Sequence, residues 1–434
     1  MEQFESDSRA ARPIASGMSV PDALIRPPIE LLQGSEEYFP QLIGAIEAAR
    51  TTVYLESYLI HDDPPTRRVL EALIRARQRG VAVFVLLDGF GAASEIGWAK
   101  ALLEAHEIQI ECYRPVVRWR APNTWRRLHR KLALIDEQTA FVGGINLIGD
   151  HFDLVHGQLP RPRLDFAIRV ASAVPVAAIS RVMRRTWWRV SLRNAFRGSL
   201  GRLMRADGRQ TELARLREAW RRTRRHLRWR APRARRRMSR RVRLLLRDNL
   251  RHRRDIERWY LLSIVSARTE ILIANAYFVP TFRFRQALLR AAQRGVRVRL
   301  LIQGNSDQWW THWATQALIG ELVAGGVEIY EYTESFLHAK VAVIDDALTV
   351  GSSNIDPFSL AFSLEANLIA EDTALAAQLR ARLQAACDRA SRRLSPAGQR
   401  HGLLRSLGRA TLITFALTAL RIFIAFSGSS LRMR

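Results

Sequence analysis

Two near-copies of one short sequence constrain this chain more than any other feature. Residues 128–136 read Leu-His-Arg-Lys-Leu-Ala-Leu-Ile-Asp, and residues 337–345 read Leu-His-Ala-Lys-Val-Ala-Val-Ile-Asp. Each copy is followed by Gly-x-x-Asn, which ends at Asn146 in the first copy and at Asn354 in the second. Because residues two apart share one face of a β-strand, each histidine lies beside its lysine. The pattern predicts two equivalent buried strands that each begin with a reactive face.

The use of lysine supports this prediction. The chain has three lysines, Lys100, Lys131 and Lys340, among 68 basic residues. Two of the three stand two places after a histidine and five before an aspartate. A general preference for arginine cannot explain that placement. We infer that these two positions require the compact point charge of lysine rather than a planar guanidinium.

The duplication extends beyond the two strands. Residues 72–81 match residues 287–296 at an offset of 215, and the two histidines are 209 residues apart. The patterns predict a helix over 37–50, a strand over 52–60, a helix over 69–79 and a strand over 81–87. Alternating helices and buried strands favour a duplicated α/β domain.

Positive charge is concentrated between the two halves. The formal net charge is +27, and residues 181–254 contain 28 arginines but four acids. This stretch also contains Trp187, Trp188, Trp220 and Trp229, and we predict a helical, poorly packed insertion whose tryptophans anchor it at a membrane interface. A solvated basic arm and a nucleic-acid-binding surface fit the same charge. Cys112 and Cys387 provide no disulfide framework, and the acidic N-terminus lacks a signal-peptide pattern.

The spacing His-x-Lys-x-x-x-x-Asp, present twice with Gly-x-x-Asn downstream, resembles the phospholipase D superfamily. The resemblance covers roughly residues 29–176 and 255–375. It implies an α/β fold of two similar α/β/α domains, related by a pseudo-twofold axis with the active site at their interface, and no metal ion or other cofactor. We therefore expect five segments: a loose arm (1–28), a first phospholipase D-like domain (29–176), an Arg-rich insertion or linker (177–254), a second such domain (255–400) and a hydrophobic membrane-associated tail (401–434).

The candidate site combines both halves. Its catalytic candidates are the residues of the two motifs, namely His129, Lys131, Asp136, His338, Lys340 and Asp345. One histidine would attack a phosphodiester phosphorus and the other would act as general acid and base, while the lysines, with Asn146 and Asn354, stabilise the transition state. Asp165 and Glu365 are expected to orient the histidine of their own half. Strand parity places Asp136 and Asp345 away from the histidines, which favours a structural role for them. The superfamily favours His129 as the nucleophile, although the near-symmetry leaves His338 open.

Several runs resemble the bacterial cardiolipin synthases, among them residues 246–249, 253–257, 273–280 and 351–360. This resemblance implies a phosphatidyltransferase that makes cardiolipin from phosphatidylglycerol and a second phospholipid through a phosphohistidine, bound to the cytoplasmic (inner) membrane peripherally or by its tail. An anionic membrane is the expected partner in preference to nucleic acid, and the oligomeric state stays open. A phospholipase D hydrolase and a superfamily nuclease are the alternatives. Residues 410–427, with Arg421 as their one charge, predict a helix in one membrane leaflet, with a core helix as the alternative.

Overall fold

A computed structural model describes residues 28–114, 126–154, 156–203, 216–218, 220–221, 241–248, 252–304, 318–356 and 363–394. The predicted tail, nearly all of the predicted arm and the centre of the Arg-rich stretch lie outside these residues. Within the described part of the chain, no helix is both long enough and apolar enough to cross a bilayer.

The first half forms a seven-stranded mixed sheet in the order β1-β10-β7-β6-β2-β3-β4. Helices pack beside it because their apolar positions recur at helical spacing, and α2 begins at Pro64 with the Asp63 side chain capping the amide of Thr66. The elements are β1 Ile29–Gln33, α1 Gly34–Glu47, β2 Thr52–Ser57, α2 Pro64–Gln78, β3 Ala82–Asp88, α3 Ile96–Ala105, β4 Gln109–Tyr113, β5 Arg127–Leu128, β6 Lys131–Ile135, β7 Thr139–Gly143, β8 Phe152–Asp153, β9 Gly157–Gln158, β10 Phe166–Val170 and α4 Ala173–Leu203.

The second half repeats the first strand for strand, in the order β11-β17-β16-β15-β12-β13-β14, with β18 added at the edge. The predicted duplication of an α/β domain is confirmed. Its elements are β11 Val242–Arg247, α5 Asp255–Ser266, β12 Glu270–Asn275, α6 Phe282–Gln293, β13 Arg297–Gln303, β14 Glu328–Tyr332, β15 Lys340–Ile344, β16 Ala347–Gly351, β17 Ser363–Glu371, α7 Thr373–Arg389 and β18 Ser391–Arg393.

The two halves share one hydrophobic core. A single cluster of buried side chains includes Leu134 and Phe166 from the first sheet and Val341 and Leu368 from the second. The strand β5, which precedes His129, leaves its own sheet and pairs in parallel with β17 of the other half. The halves are therefore joined by both apolar burial and backbone hydrogen bonds, and the two motifs meet at this seam.

The prediction of a poorly packed insertion is wrong at both ends of the Arg-rich stretch. At its start, α4 packs into the shared core, where Trp187 and Trp188 are 2% and 7% exposed. These two tryptophans contact the ring of Phe84 and are not interfacial anchors. At its other end, β11 is a strand of the second sheet. The prediction failed because it relied on the arginine-rich composition, whereas the helix has an apolar face to which the two tryptophans belong. Trp220 is half exposed, and Trp229 lies outside the described residues.

Candidate active site at the seam of the two halves

Each histidine is anchored by its backbone to the opposite half. The amide of His129 donates to the carbonyl of Leu364 over 3.0 Å, and the amide of His338 donates to the carbonyl of Leu164 over 2.9 Å. Leu364 and Leu164 each stand directly before a buried acid, Glu365 and Asp165. The chain thus places each imidazole next to an acid that belongs to the other motif's domain.

The side chains follow this crossed arrangement. Nδ1 of His129 lies 3.1 Å from Oε2 of Glu365, and Nδ1 of His338 lies 2.6 Å from Oδ2 of Asp165. The expectation that each acid orients the histidine of its own half is therefore wrong, because strand pairing across the seam brings the opposite acid within reach. The expected chemistry is unchanged: a carboxylate at Nδ1 fixes the tautomer and leaves Nε2 for the substrate.

The two pairs differ in their electrostatics. Burial raises the pKa of Asp165 to about 6, although Lys340 and a backbone amide oppose the shift. Burial and the two nearby lysines hold the pKa of His338 well below its usual range. Burial also lowers the pKa of His129, but Glu365 opposes that shift. The pKa of Glu365 is itself lowered, since its contacts with His129 and other donors outweigh the cost of burial. Burial thus opposes a charge on His338, whereas the contacts of Glu365 favour its ionised form.

Ser352 accounts for part of this difference. Its hydroxyl donates to Oε2 of Glu365 over 2.5 Å, and its carbonyl oxygen lies 3.2 Å from Nδ1 of His129. The equivalent position in the first half is Gly144, which has no hydroxyl to offer Asp165. The duplicated site is therefore symmetric in its backbone and asymmetric in its hydrogen bonds.

Both motif lysines lie in the site and are buried. Nζ of Lys131 donates to the carbonyl of His129 over 2.9 Å, and Nζ of Lys340 donates to the carbonyl of His338. Burial, followed by the proximity of Lys340, lowers the pKa of Lys131 to about 7. The two lysines are near enough for the charge of Lys340 to act on Lys131, and positive charge in a site of this kind favours an anion such as a phosphate. Within the described residues, no group of three or more histidine, cysteine or acidic side chains could hold a metal ion.

The Gly-x-x-Asn segments pack closely against the neighbouring strands. A side chain at Gly143 or Gly351 would collide with the neighbouring strand, β10 or β17, so glycine is required by close approach. Asn146 and Asn354 are each 5% exposed. The side-chain oxygen of Asn146 accepts from the amide of Leu59 over 3.2 Å, which orients its amide group.

Asp136 and Asp345 do not reach the histidines. Asp136 lies at the far end of β6, roughly 16 Å along the strand from Lys131, and accepts the backbone amides of Arg50, Thr51 and Thr52. Asp345 accepts the equivalent amides of Arg268, Thr269 and Glu270. These hydrogen bonds support the structural role that strand parity favoured and give neither aspartate a contact with a histidine.

Sequence reasoning missed two residues that hold the motifs in place. Asp88, at the end of β3, accepts the amide of Leu128 over 2.7 Å, and Gln303, at the end of β13, accepts the amide of Leu337. Each fixes the residue directly before a histidine. Asp88 and Gln303 are 215 positions apart, which is the offset of the repeated block, so the repeat itself contained the signal.

Tyr58 was a third omission. Its ring meets the imidazole of His129 edge to face at a centroid distance of 4.8 Å, and Nζ of Lys131 lies 5.4 Å from the centre of the same ring. Burial raises the pKa of Tyr58 to about 12, so the phenol stays neutral. The neutral ring therefore contacts both His129 and the ammonium of Lys131.

The family described as "Cardiolipin synthase, PLD-like domain" matches residues 42–159 and 260–386. Cardiolipin synthase B of Escherichia coli K12 is 35% identical over 355 residues, which cover 79% of this chain and 76% of that protein. The chain belongs to this family. It is thus an enzyme of the phospholipase D superfamily, of the cardiolipin synthase type.

More distant proteins agree with this placement. Cardiolipin synthase A of Pseudomonas entomophila is 28% identical, over 89% of this chain and 74% of that protein. Among solved structures, phosphatidylserine synthase of Haemophilus influenzae superposes with a TM-score of 0.58 at 15% identity, covering 85% of this chain and 87% of that one. At that identity the similarity concerns the fold, which is the two-domain phospholipase D-like architecture.

Proposed function

We propose that this protein makes cardiolipin by transferring a phosphatidyl group from one phospholipid to the glycerol hydroxyl of phosphatidylglycerol. The supporting observation is the pair of histidines at the seam, each with a carboxylate at Nδ1 and a buried lysine nearby. Two imidazoles oriented in this way suit a double displacement at phosphorus. The names of the relatives point to the same product.

The proposed reaction has two steps. Nε2 of one histidine attacks the donor phosphorus, and the P–O bond to the headgroup alcohol breaks as the other histidine protonates the leaving oxygen. The same second histidine then removes a proton from the acceptor hydroxyl, whose oxygen forms a new P–O bond while the P–N bond breaks. With phosphatidylglycerol as both donor and acceptor, two molecules give one cardiolipin and one glycerol. Lys131 and Lys340 would offset the negative charge of the phosphate oxygens in both steps.

The lipid substrate implies work at a membrane surface. We propose peripheral attachment to an anionic membrane, the cytoplasmic membrane, through the Arg-rich stretch, because arginines near an anionic surface contribute about 1 kcal/mol each. The exposed ring of Phe90, with the guanidinium of Arg127 5.6 Å from its centre, provides a second amphipathic contact. The predicted tail would add a third.

Incubation of the purified protein with phosphatidylglycerol vesicles in the presence of a chelator tests the reaction, with products read by mass spectrometry. We expect cardiolipin and glycerol in equal amounts, and neither from His129→Ala or His338→Ala. Phosphatidic acid as the sole product would indicate a hydrolase instead. Cleavage of single-stranded DNA without any lipid product would indicate a nuclease.

A single-turnover experiment tests the covalent intermediate. With phosphatidylglycerol labelled at phosphorus, the wild-type protein should acquire an acid-labile label. Replacing the general acid should slow the loss of that label, whereas replacing the nucleophile should prevent labelling. The comparison of His129→Ala with His338→Ala therefore identifies the nucleophile. Absence of label from the wild type and from both variants would contradict the phosphohistidine mechanism.

A further inference from the structure

A third buried cation lies on the strand that pairs with the strand of Glu365. Arg247, on β11, is directly opposite Glu365 in the antiparallel pairing of β11 with β17. Residues directly opposite one another in such a pair project from the same face of the sheet, so Arg247 projects on the face from which Glu365 reaches His129. The residue is 2% exposed, and a guanidinium remains charged there.

The guanidinium of Arg247 is incompletely bonded. Its Nε donates to the carbonyl of Arg253 over 3.2 Å, while Nη1 is buried with no hydrogen-bond partner among the described residues. Burial lowers the pKa of Arg247 to about 10, and the nearby acids Glu365, Asp356 and Glu257 oppose the shift. A buried charged donor without a hydrogen-bond partner lowers the stability of the fold, and a bound ligand is one explanation for such a group.

The strand position that matches Arg247 in the first half holds a glycine. In the matching pair of strands, β1 and β10, Gln33 is opposite Phe166, so the position opposite Asp165 is Gly34. The amide of Gly34 donates to the carbonyl of Asp165 over 2.9 Å, and a side chain there would collide with the carboxylate of Asp150. The first half has Arg163 instead, whose charge acts on Asp165 and His338 and which donates to the carbonyl of Gly149 over 3.0 Å. Of these two arginines, only Arg247 keeps a buried nitrogen without a partner among the described residues.

A narrow crevice is lined in part by Glu257, one of the acids whose charge acts on Arg247. This crevice between α5 and the second motif is lined by Glu257, Tyr260, Phe284, Asn354 and Ile355, among others. Glu257 faces both this crevice and Arg247. The hydroxyl of Tyr260 and the side-chain oxygen of Asn354 are buried and have no hydrogen-bond partner among the described residues. Two residues that line the crevice thus have polar atoms without a partner among the described residues.

We propose that Arg247 binds the phosphate of the acceptor lipid, an anionic phosphodiester that carries a free hydroxyl on its headgroup. This inference rests on the proposed transferase function and assigns one of its two lipid positions. The donor phosphate occupies the centre between the histidines, where Lys131 and Lys340 face it. The acceptor brings a second phosphate three carbons from the reacting hydroxyl, and that second anion needs a cation of its own. The forked guanidinium suits a phosphate better than a point charge does.

Comparison of charged and neutral acceptors tests the assignment. The phosphatidyl group of phosphatidylglycerol is transferred either to a second phosphatidylglycerol, which gives cardiolipin, or to free isotope-labelled glycerol, which gives labelled phosphatidylglycerol. Free glycerol has the same hydroxyls but no phosphate. In Arg247→Gln we expect transfer to phosphatidylglycerol to fall by about 10–100-fold relative to transfer to glycerol, the effect of losing one charge-assisted hydrogen bond. Arg247→Lys should recover part of the ratio. The matched control is Arg243→Gln, the same change at an exposed position on the same strand, which should leave the ratio unchanged.

The ratio separates substrate binding from structural support. An equal loss with both acceptors would mean that Arg247 only supports Glu365, and an unchanged ratio would also overturn the proposal. If Arg247→Gln melts at a lower temperature, Arg247→Lys decides by the same ratio. Failure of the proposed function looks different, because the wild-type protein would then make no cardiolipin and any lipid product would be phosphatidic acid.

Discussion

The crossed pairing of histidines and acids leads to a quantitative prediction for Glu365→Gln. The carboxylate lies 3.1 Å from Nδ1 of His129, and at an effective dielectric constant of about 20 a unit-charge attraction at that distance is about 5 kcal/mol. The amide of glutamine still accepts a hydrogen bond worth about 1 kcal/mol. The net loss of about 4 kcal/mol whenever His129 is protonated corresponds to a decrease in kcat of roughly 10³-fold.

Two measurements test this prediction. The first is the single-turnover rate of cardiolipin formation from phosphatidylglycerol vesicles, with a thermal melt to show that the variant is folded. Glu371→Gln, an exposed change at the end of the same strand, is the matched control and should retain wild-type rates. The second is a double-mutant cycle on the free energy of unfolding. His129 and Glu365 should couple by about 1 kcal/mol or more, whereas His129 and Asp165 should couple by less than about 0.5 kcal/mol.

Either of two results would refute the crossed arrangement. One is a Glu365→Gln variant whose rate stays within about tenfold of the wild type, which would mean that the carboxylate contributes little more than a neutral amide. The other is a stronger coupling of His129 to Asp165 than to Glu365, which would restore the pairing within each half.

Three further predictions concern individual residues. Because the pKa of Lys131 is lowered to about 7 and its charged form attracts the phosphate, KM for phosphatidylglycerol should rise as pH increases from 6 to 8, and Lys131→Gln should abolish that dependence. Tyr58→Ala should lower kcat by about tenfold, since one aromatic contact is worth about 1 kcal/mol, whereas Tyr58→Phe should stay within about threefold. Asp345→Ala should lower the free energy of unfolding by about 2 kcal/mol but leave kcat per folded molecule within about threefold. Lys340→Ala should instead lower kcat and leave the free energy of unfolding nearly unchanged. The pKa of Asp345 is lowered to about 2, so its stabilisation is full above its unfolded pKa of about 4 and is lost as pH falls toward 2; a urea titration at several pH values checks this.

The duplicated α/β scaffold and the motif residues that meet in the site could be predicted from the sequence alone. The strands at residues 131–135 and 340–344 are short and apolar, and their secondary structure depends on residues that are close in sequence. The lysine count and the repeated glycine and asparagine then identified the reactive end of each strand. Strand parity alone was enough to separate Asp136 and Asp345 from the histidines.

The tertiary structure decided which side chains serve one another. His129 lies beside Glu365 because β5 crosses the seam and pairs with β17. Whether a histidine contacts the acid of its own half or of the opposite half depends on that long-range pairing, which local sequence patterns do not predict. The same reason explains Trp187 and Trp188, whose burial depends on a core surface built by distant strands, and Arg247, whose position opposite Glu365 follows from the register of β11. Local propensity fixes elements, whereas hydrogen bonding and burial between distant segments fix the partners within a site.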